Sequence, residues 1–138
     1  MPVNVATVGR EDDGLQFSDV ERGPDGEIWY VWARLRVGGL DAPLRVSSHY
    51  ATGFDELVRF FRGLAADWRG WPGERTYESL EHELRLIAIH DGHVRIAVQL
   101  RQSSLPDGWS AFGEFRVDPG EELTRAAESV TGLLSGEG

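Results

Sequence analysis

Glu83-Leu-Arg-Leu-Ile-Ala-Ile-His90-Asp91-Gly92-His93-Val-Arg-Ile-Ala-Val-Gln-Leu-Arg101 decides the fold. Two runs of β-formers flank Asp91-Gly92, the strongest short-range hairpin signal. A two-residue type I′ turn needs positive φ at both central residues, which Asp and Gly tolerate best. That turn pairs His90 with His93, Ile89 with Val94 and Ile87 with Ile96. Side chains alternate along a strand, so Ile87, Ile89, Val94, Ile96 and Val98 form the expected core face. Leu84, Leu86, Ala88, His90, His93, Arg95 and Ala97 form a mixed, partly covered face. A slip of one residue would exchange the two.

Working outward, the remaining segments supply more strands and two helices. Val3–Val8 and Leu15–Val20 read as short strands, and Gly23-Pro24-Asp25-Gly26 as a turn. Glu27–Val37 is a long strand with Trp29, Val31, Ala33, Leu35 and Val37 on one face. Ile28, Tyr30, Trp32, Arg34 and Arg36 lie on the other, aromatic at its start and basic at its end. After Gly38-Gly39, Leu44–Tyr50 resumes as an antiparallel partner. Phe54–Trp68 carries apolar residues at helical spacing: Phe54, Leu57, Val58, Phe61, Leu64, Ala65 and Trp68. Thr52 and Asp55 fit a capping box at its start. Thr76–Leu80 leads into the hairpin as a strand, Ser103–Gly108 is a loop, and Trp109–Val117 alternates again. Asp118 as N-cap, Pro119 and Glu121 open a second helix with Leu123, Ala126, Ala127, Val130, Leu133 and Leu134 on its buried stripe. Neighbouring strands are joined by turns too short for parallel crossovers. The expected architecture is α+β: an antiparallel twisted sheet of about six to eight strands with two amphipathic helices packed on one face.

At 138 residues the chain fits one domain, with 135–138 as a frayed tail. A chain of this length buries roughly two-thirds of its unfolded surface, enough for an ordinary apolar core. There is no cysteine, which excludes thiolate catalysis, iron–sulfur clusters and Cys-ligated zinc. All fourteen basic residues are arginine, a usage that points to a GC-rich genome. Twenty-three acids give a net charge of −9. Such a charge repels nucleic acid and anionic membrane and steers a basic partner inward. Met1–Asp13 lacks a basic segment followed by an apolar run, and no window reaches the length of a membrane span. The expectation is a cytoplasmic protein.

Catalytic motifs are absent from the sequence. His82-Glu83 begins like the zinc-protease signature, but Leu86 stands where the second His is required. No Gly-x-Ser-x-Gly elbow, P-loop or dinucleotide-binding glycine pattern occurs, and nothing calls for a cofactor. His90, Asp91 and His93 cluster at the hairpin turn as metal-ligand candidates, set against solvated residues flanking a tight turn. Glu78, Glu81 and Glu83 are close in sequence and read as a solvated strand entry rather than an acid–base pair. Asp12, Asp13, Asp19, Asp25 and Glu27 make the N-terminal third the most acidic part. Trp71, in the Arg69–Gly73 loop, is the candidate exposed anchor for a partner. Tyr30, Trp32, Arg34, Arg36 and His49 are candidates to line a pocket for an anionic or aromatic ligand, between the sheet and the helices.

Three stretches carry a resemblance. Trp71-Pro72-Gly73-Glu74-Arg75-Thr76-Tyr77-Glu78-Ser79-Leu80 is followed by Leu84-Arg85-Leu86 through His90-Asp91-Gly92-His93-Val94. Gly108-Trp109 and Asp118-Pro119-Gly120-Glu121-Glu122-Leu123 come after. Over roughly Glu27–Leu134 the chain resembles an actinobacterial family of small proteins of unknown function. That family is similar in layout to small bacterial immunity proteins of the WapI type, which bind and neutralise toxin domains. The resemblance brings no catalytic residues. The expectation, from the acidic balance and the lack of catalytic motifs, is a non-enzymatic binding protein of immunity type that meets a basic protein partner through an acidic surface. A small-molecule binder or enzyme, and a module in which the mixed sheet face pairs two copies as a homodimer, are the alternatives.

Overall fold

Among the described residues eight strands and two helices form close to where the alternating and helical apolar patterns place them, the strand expected over Leu44–Tyr50 running instead from Leu40 to Ser47. The computed structural model describes residues 4–102 and 107–135. The expected strand start at Val3, residues 103–106 of the loop and the tail after Ser135 lie outside these residues. The elements run β1 (Val5–Arg10), β2 (Asp13–Arg22), β3 (Ile28–Val37), β4 (Leu40–Ser47), α1 (Asp55–Ala66), β5 (Arg75–Glu78), β6 (Leu84–His90), β7 (Val94–Arg101), β8 (Ser110–Val117) and α2 (Glu121–Leu134).

The strands make two four-stranded antiparallel sheets, β1-β2-β3-β4 and β5-β6-β7-β8, rather than the single expected sheet. Alternation along a strand reports which face is buried. It does not report whether the next strand extends the same sheet or starts another. The break falls where α1 and the Arg69–Gly73 loop separate β4 from β5. Both sheets turn an apolar face inward, and the two helices pack on each other, so one cluster of buried residues draws on both sheets and both helices. Strand β8 crosses β3 closely. A Cβ added to Gly113 would stand 2.4 Å from Val37 Cγ2, so only glycine fits this crossing.

The hairpin forms one residue out of the expected register. His90 pairs with Val94, Ala88 with Ile96 and Leu86 with Val98, around a three-residue loop Asp91-Gly92-His93 with Gly92 at φ 101. The buried face is Leu84, Leu86, Ala88, Val94, Ile96, Val98 and Leu100; Ile87, Ile89, Arg95 and Ala97 face outward, half-buried. Val94, Ile96, Val98 and Leu100 share a face in either register, so the longer loop decides only which face of β6 joins them. Leu84, Leu86 and Ala88 enter the core, and Arg85, which alternates with Ile87 and Ile89, stays in solvent. The two-residue connection with both central φ positive occurs elsewhere, at Gly38 (φ 51) and Gly39 (φ 90) between Val37 and Leu40.

Alternation on β3 holds from Tyr30 to Leu35, with Val31, Ala33 and Leu35 buried. At the start of the strand it inverts: Ile28 is buried and Trp29 exposed, opposite a bulge in β2 between Ser18 and Arg22. An extra residue on one strand re-aims the side chains beside it. The helix stripes are buried as expected, except that α1 ends at Ala66 and leaves Trp68 exposed. The expected caps do not form. The N-cap positions are Phe54 and Gly120, without a side-chain hydrogen bond, and the Asp118 carbonyl rather than its carboxylate accepts from Leu123 N–H.

Phe61 stands edge-on to Phe17 of β2 and to Phe60, joining α1 to the first sheet. Phe60 meets Tyr77 of β5 at 6.3 Å. Burial, with the negative charges of Glu56 and Glu83, pushes the Tyr77 phenol well above its ordinary 10.0. The raised value favours the folded state fully below pH 10.0, and that contribution drains away as pH climbs towards the folded value. The native protein is therefore expected to lose stability progressively above pH 10.0, and Tyr77→Phe to flatten that loss. Urea midpoints measured between neutral and alkaline pH for both proteins decide it. Parallel pH profiles would mean that Tyr77 ionises as freely folded as unfolded.

Candidate functional site

The outer face of β1–β4 collects four of the nine sequence-selected site residues. Strand alternation that buries Val31, Ala33 and Leu35 turns Tyr30, Trp32, Arg34 and Arg36 to solvent on β3. They do not line a space between sheet and helices. That space is filled by core side chains, and the four stand on the opposite face of the sheet. Across the register, Trp32 faces Arg45 and Arg36 faces Asp41 on β4.

The indole and guanidinium groups of Trp32, Arg34, Arg36 and Arg45 on this face have carboxylate partners. Arg34 donates to both Asp41 oxygens at 2.6 Å, a bidentate fork, and Arg36 Nε lies 3.6 Å from the same carboxylate. The Arg34 hydrogen bond, helped by the charges of Arg34 and Arg36, holds the Asp41 carboxyl below its usual range. Trp32 Nε1–H donates to Glu21 at 3.1 Å, and Arg45 lies 3.4 Å from the other Glu21 oxygen. The Arg45 guanidinium also covers the Tyr30 ring, 4.1 Å from its centroid. The result is a set of aromatic planes and guanidinium groups held in fixed orientations on a rigid sheet, with Trp32 still 37% exposed.

His49 sits apart from this set, past the end of β4. Its Nδ1 accepts from Ala51 N–H (3.0 Å) and Thr52 N–H (3.3 Å), which fixes the proton on Nε2. Its ring stacks on Tyr50 at 4.6 Å. With Trp29, Asp25 and Glu27 these residues line an open cleft of about 570 Å³ at the end of the first sheet.

Trp71 is not a surface anchor. It is 7% exposed, its Nε1–H reaches the Ala88 carbonyl (3.3 Å), and its ring meets His90 edge-on with Arg75 over its face. The Arg69–Gly73 loop folds it against the edge of the second sheet, where burying a large ring outweighs leaving it in water.

The hairpin histidines do not converge on a common centre. The three-residue loop puts His90 opposite Val94 instead of His93. His90 Nδ1 accepts from Gly92 N–H, and Nε2–H donates to the Trp68 carbonyl at 2.8 Å, so both ring nitrogens are engaged. Asp91 accepts from His93 N–H and pairs with Arg95 at 3.0 Å; that hydrogen bond first, then the Arg95 charge, holds its carboxyl below the usual range. Among the described residues no group of three or more His, Asp or Glu side chains is placed to hold a metal ion.

One residue read as a solvated strand entry turns out to be structural. Glu83 Oε2 accepts from Ser47 N–H (3.0 Å) and Ser47 Oγ (2.7 Å), while Oε1 accepts from Ser79 Oγ (2.9 Å). Ser79 Oγ in turn accepts from Leu84 N–H at 3.0 Å. A single carboxylate thus ties the end of β4 in one sheet to the β5–β6 turn of the other. No local sequence signal marks it, because its partners lie 36 and 4 residues away.

Fold and surface together define a small α+β protein of two antiparallel sheets and a helical pair, with its aromatic and arginine side chains displayed on an uncovered sheet face. Residues 7–137 match the model of a family of unknown function, DUF6228, and the chain belongs to that family. Neither the curated proteins nor the solved structures give a match. Among the described residues no helix is long and apolar enough to cross a membrane.

Proposed function

We propose that this is a non-enzymatic binding protein that recognises a protein partner through the outer face of β1–β4, with Trp32, Tyr30 and Arg45 as its centre. The observation that carries this reading is the composition and pre-ordering of that face. Trp, Tyr and Arg are the residue types that dominate binding energy at protein interfaces. Here they are already held by Glu21 and Asp41, so less side-chain freedom is lost on docking. The face itself is nearly charge-balanced. Five acids stand in exposed turns of the same sheet, Glu11, Asp12 and Asp13 at the turn from β1 to β2 and Asp25 and Glu27 between β2 and β3. That arrangement suits long-range steering of a basic partner onto an aromatic contact. An immunity-type role, in which the partner is a basic toxin domain met in the cytoplasm, is the specific form this takes.

Trp32→Ala is expected to weaken partner binding by about 2 kcal/mol, roughly 30-fold in Kd, without loss of fold. The immobilised protein and its Trp32→Ala variant are exposed to the same source-cell lysate, and the proteins retained are identified and titrated. A partner held equally well by both forms places the interface elsewhere. A second reading, a small-molecule site, is favoured by the cleft where Trp29, His49 and Tyr50 meet. In that case Tyr50→Ala, rather than Trp32→Ala, abolishes binding.

A further inference from the structure

We infer that the outer face of β5–β8 is a self-association surface through which two copies of this chain pair face to face. Among the described residues no helix covers this face. Its centre is Ile87, Ile89 and Ala97, half-buried, with Phe112 alongside at 66% exposure. Phe112 is the most exposed core-type side chain on the sheets, and it points away from the interior because Ala111 and Gly113 on either side point in. An apolar centre of this kind on an otherwise charged protein marks a contact surface.

The charges around it choose the occupant. Arg85, Arg95, Arg101 and Arg116 share the face with Glu78, Glu114 and the loop residue Asp91, four positive groups against three negative. The whole chain carries −9, so two copies approaching at random repel each other. This nearly balanced face is where that repulsion is least. A two-fold axis sets the same patch against itself, so each copy's arginines can meet the other's carboxylates around the stacked apolar centre. A basic partner is instead drawn to the acidic turns of the first sheet. Three strands of 7 or 8 residues and one of 4, about 4.8 Å apart at about 3.3 Å per residue, offer on the order of 400 Å² per copy. The total, on the order of 850 Å², lies below the size of a standard stable interface, so the dimer is weak and concentration-dependent.

Size-exclusion chromatography with light scattering over a concentration series from about 5 to about 500 μM reads this directly. The expected mass rises from 15.4 kDa towards twice that value. Phe112→Asp, at an exposed position, is expected to raise the dimer Kd at least tenfold while circular dichroism and melting stay native. Should that variant fail to fold, Arg116→Glu provides the same test from the rim. Trp32→Ala leaves the dimer intact, which separates this surface from the partner-binding face. A chain that stays at 15.4 kDa throughout overturns the inference. So does a dimer indifferent to both Phe112→Asp and Arg116→Glu, or one dissolved by Trp32→Ala.

Discussion

Phe61→Ala is expected to remove about 4 kcal/mol of folding stability. Phe61 is fully buried and meets two aromatic rings edge-on, Phe17 at 6.3 Å and Phe60 at 5.2 Å. Truncation removes the transfer energy of a whole ring and leaves a cavity where α1 sits on the first sheet. It also removes the edge-to-face contacts, each of which contributes about 0.5–1.5 kcal/mol beyond area. A domain of this size has roughly 5–15 kcal/mol in total, so the loss takes a large share. Urea titration should show the midpoint falling with the slope retained. Phe60→Ala, at a half-buried site, serves as the comparison and costs less. A Phe61→Ala loss under about 1 kcal/mol would mean that α1 is not docked on β2 through this ring.

Glu83→Ala is expected to cost about 3 kcal/mol, through a different mechanism. The carboxylate accepts three hydrogen bonds from Ser47 and Ser79. Hydrogen bonds to a charged group contribute about 1.5–3 kcal/mol each, and donors left unmade in a partly buried place are costly. Glu83→Gln keeps both side-chain positions filled but loses the charge and one acceptor, so its cost falls between. The local signature separates this from a general core defect. Amide exchange at Ser47, whose N–H lies 3.0 Å from Glu83 Oε2, accelerates more than exchange at Val31 or Ile96. Uniform acceleration across both sheets would count against a clamp between them.

Element types were legible because they rest on periodicity. Eight strands and two helices follow from alternation and from the 3.6-residue stripe, and Leu123 through Leu134 are buried as their spacing requires. What was illegible depends on choices between two nearly equal local patterns. The hairpin had apolar residues on both faces, Ile87 and Ile89 against Leu84 and Leu86, so its register turned on a loop one residue longer. Division into two sheets depends on the pairing of strands distant in sequence, which no strand's own pattern encodes. Trp71 was misplaced because a loop position says nothing about what the loop folds against; Ala88 and His90 are 17 and 19 residues further on. The chemistry of Glu83 was hidden for the same reason. For Tyr30, Trp32, Arg34 and Arg36, the shared face was readable from alternation, and its exposure was not, because the sequence does not say which side of a sheet faces the helices.

The separation of the two sides of β3 has an evolutionary consequence. Val31, Ala33 and Leu35 are committed to the interior, whereas Trp32 and Arg34 touch nothing that the interior needs. Exposed replacements of that kind change stability by about 0.5 kcal/mol or less. Lineages can therefore exchange one specificity for another at alternate positions while inheriting an unaltered scaffold, and divergence among relatives should be concentrated in every second residue of this strand.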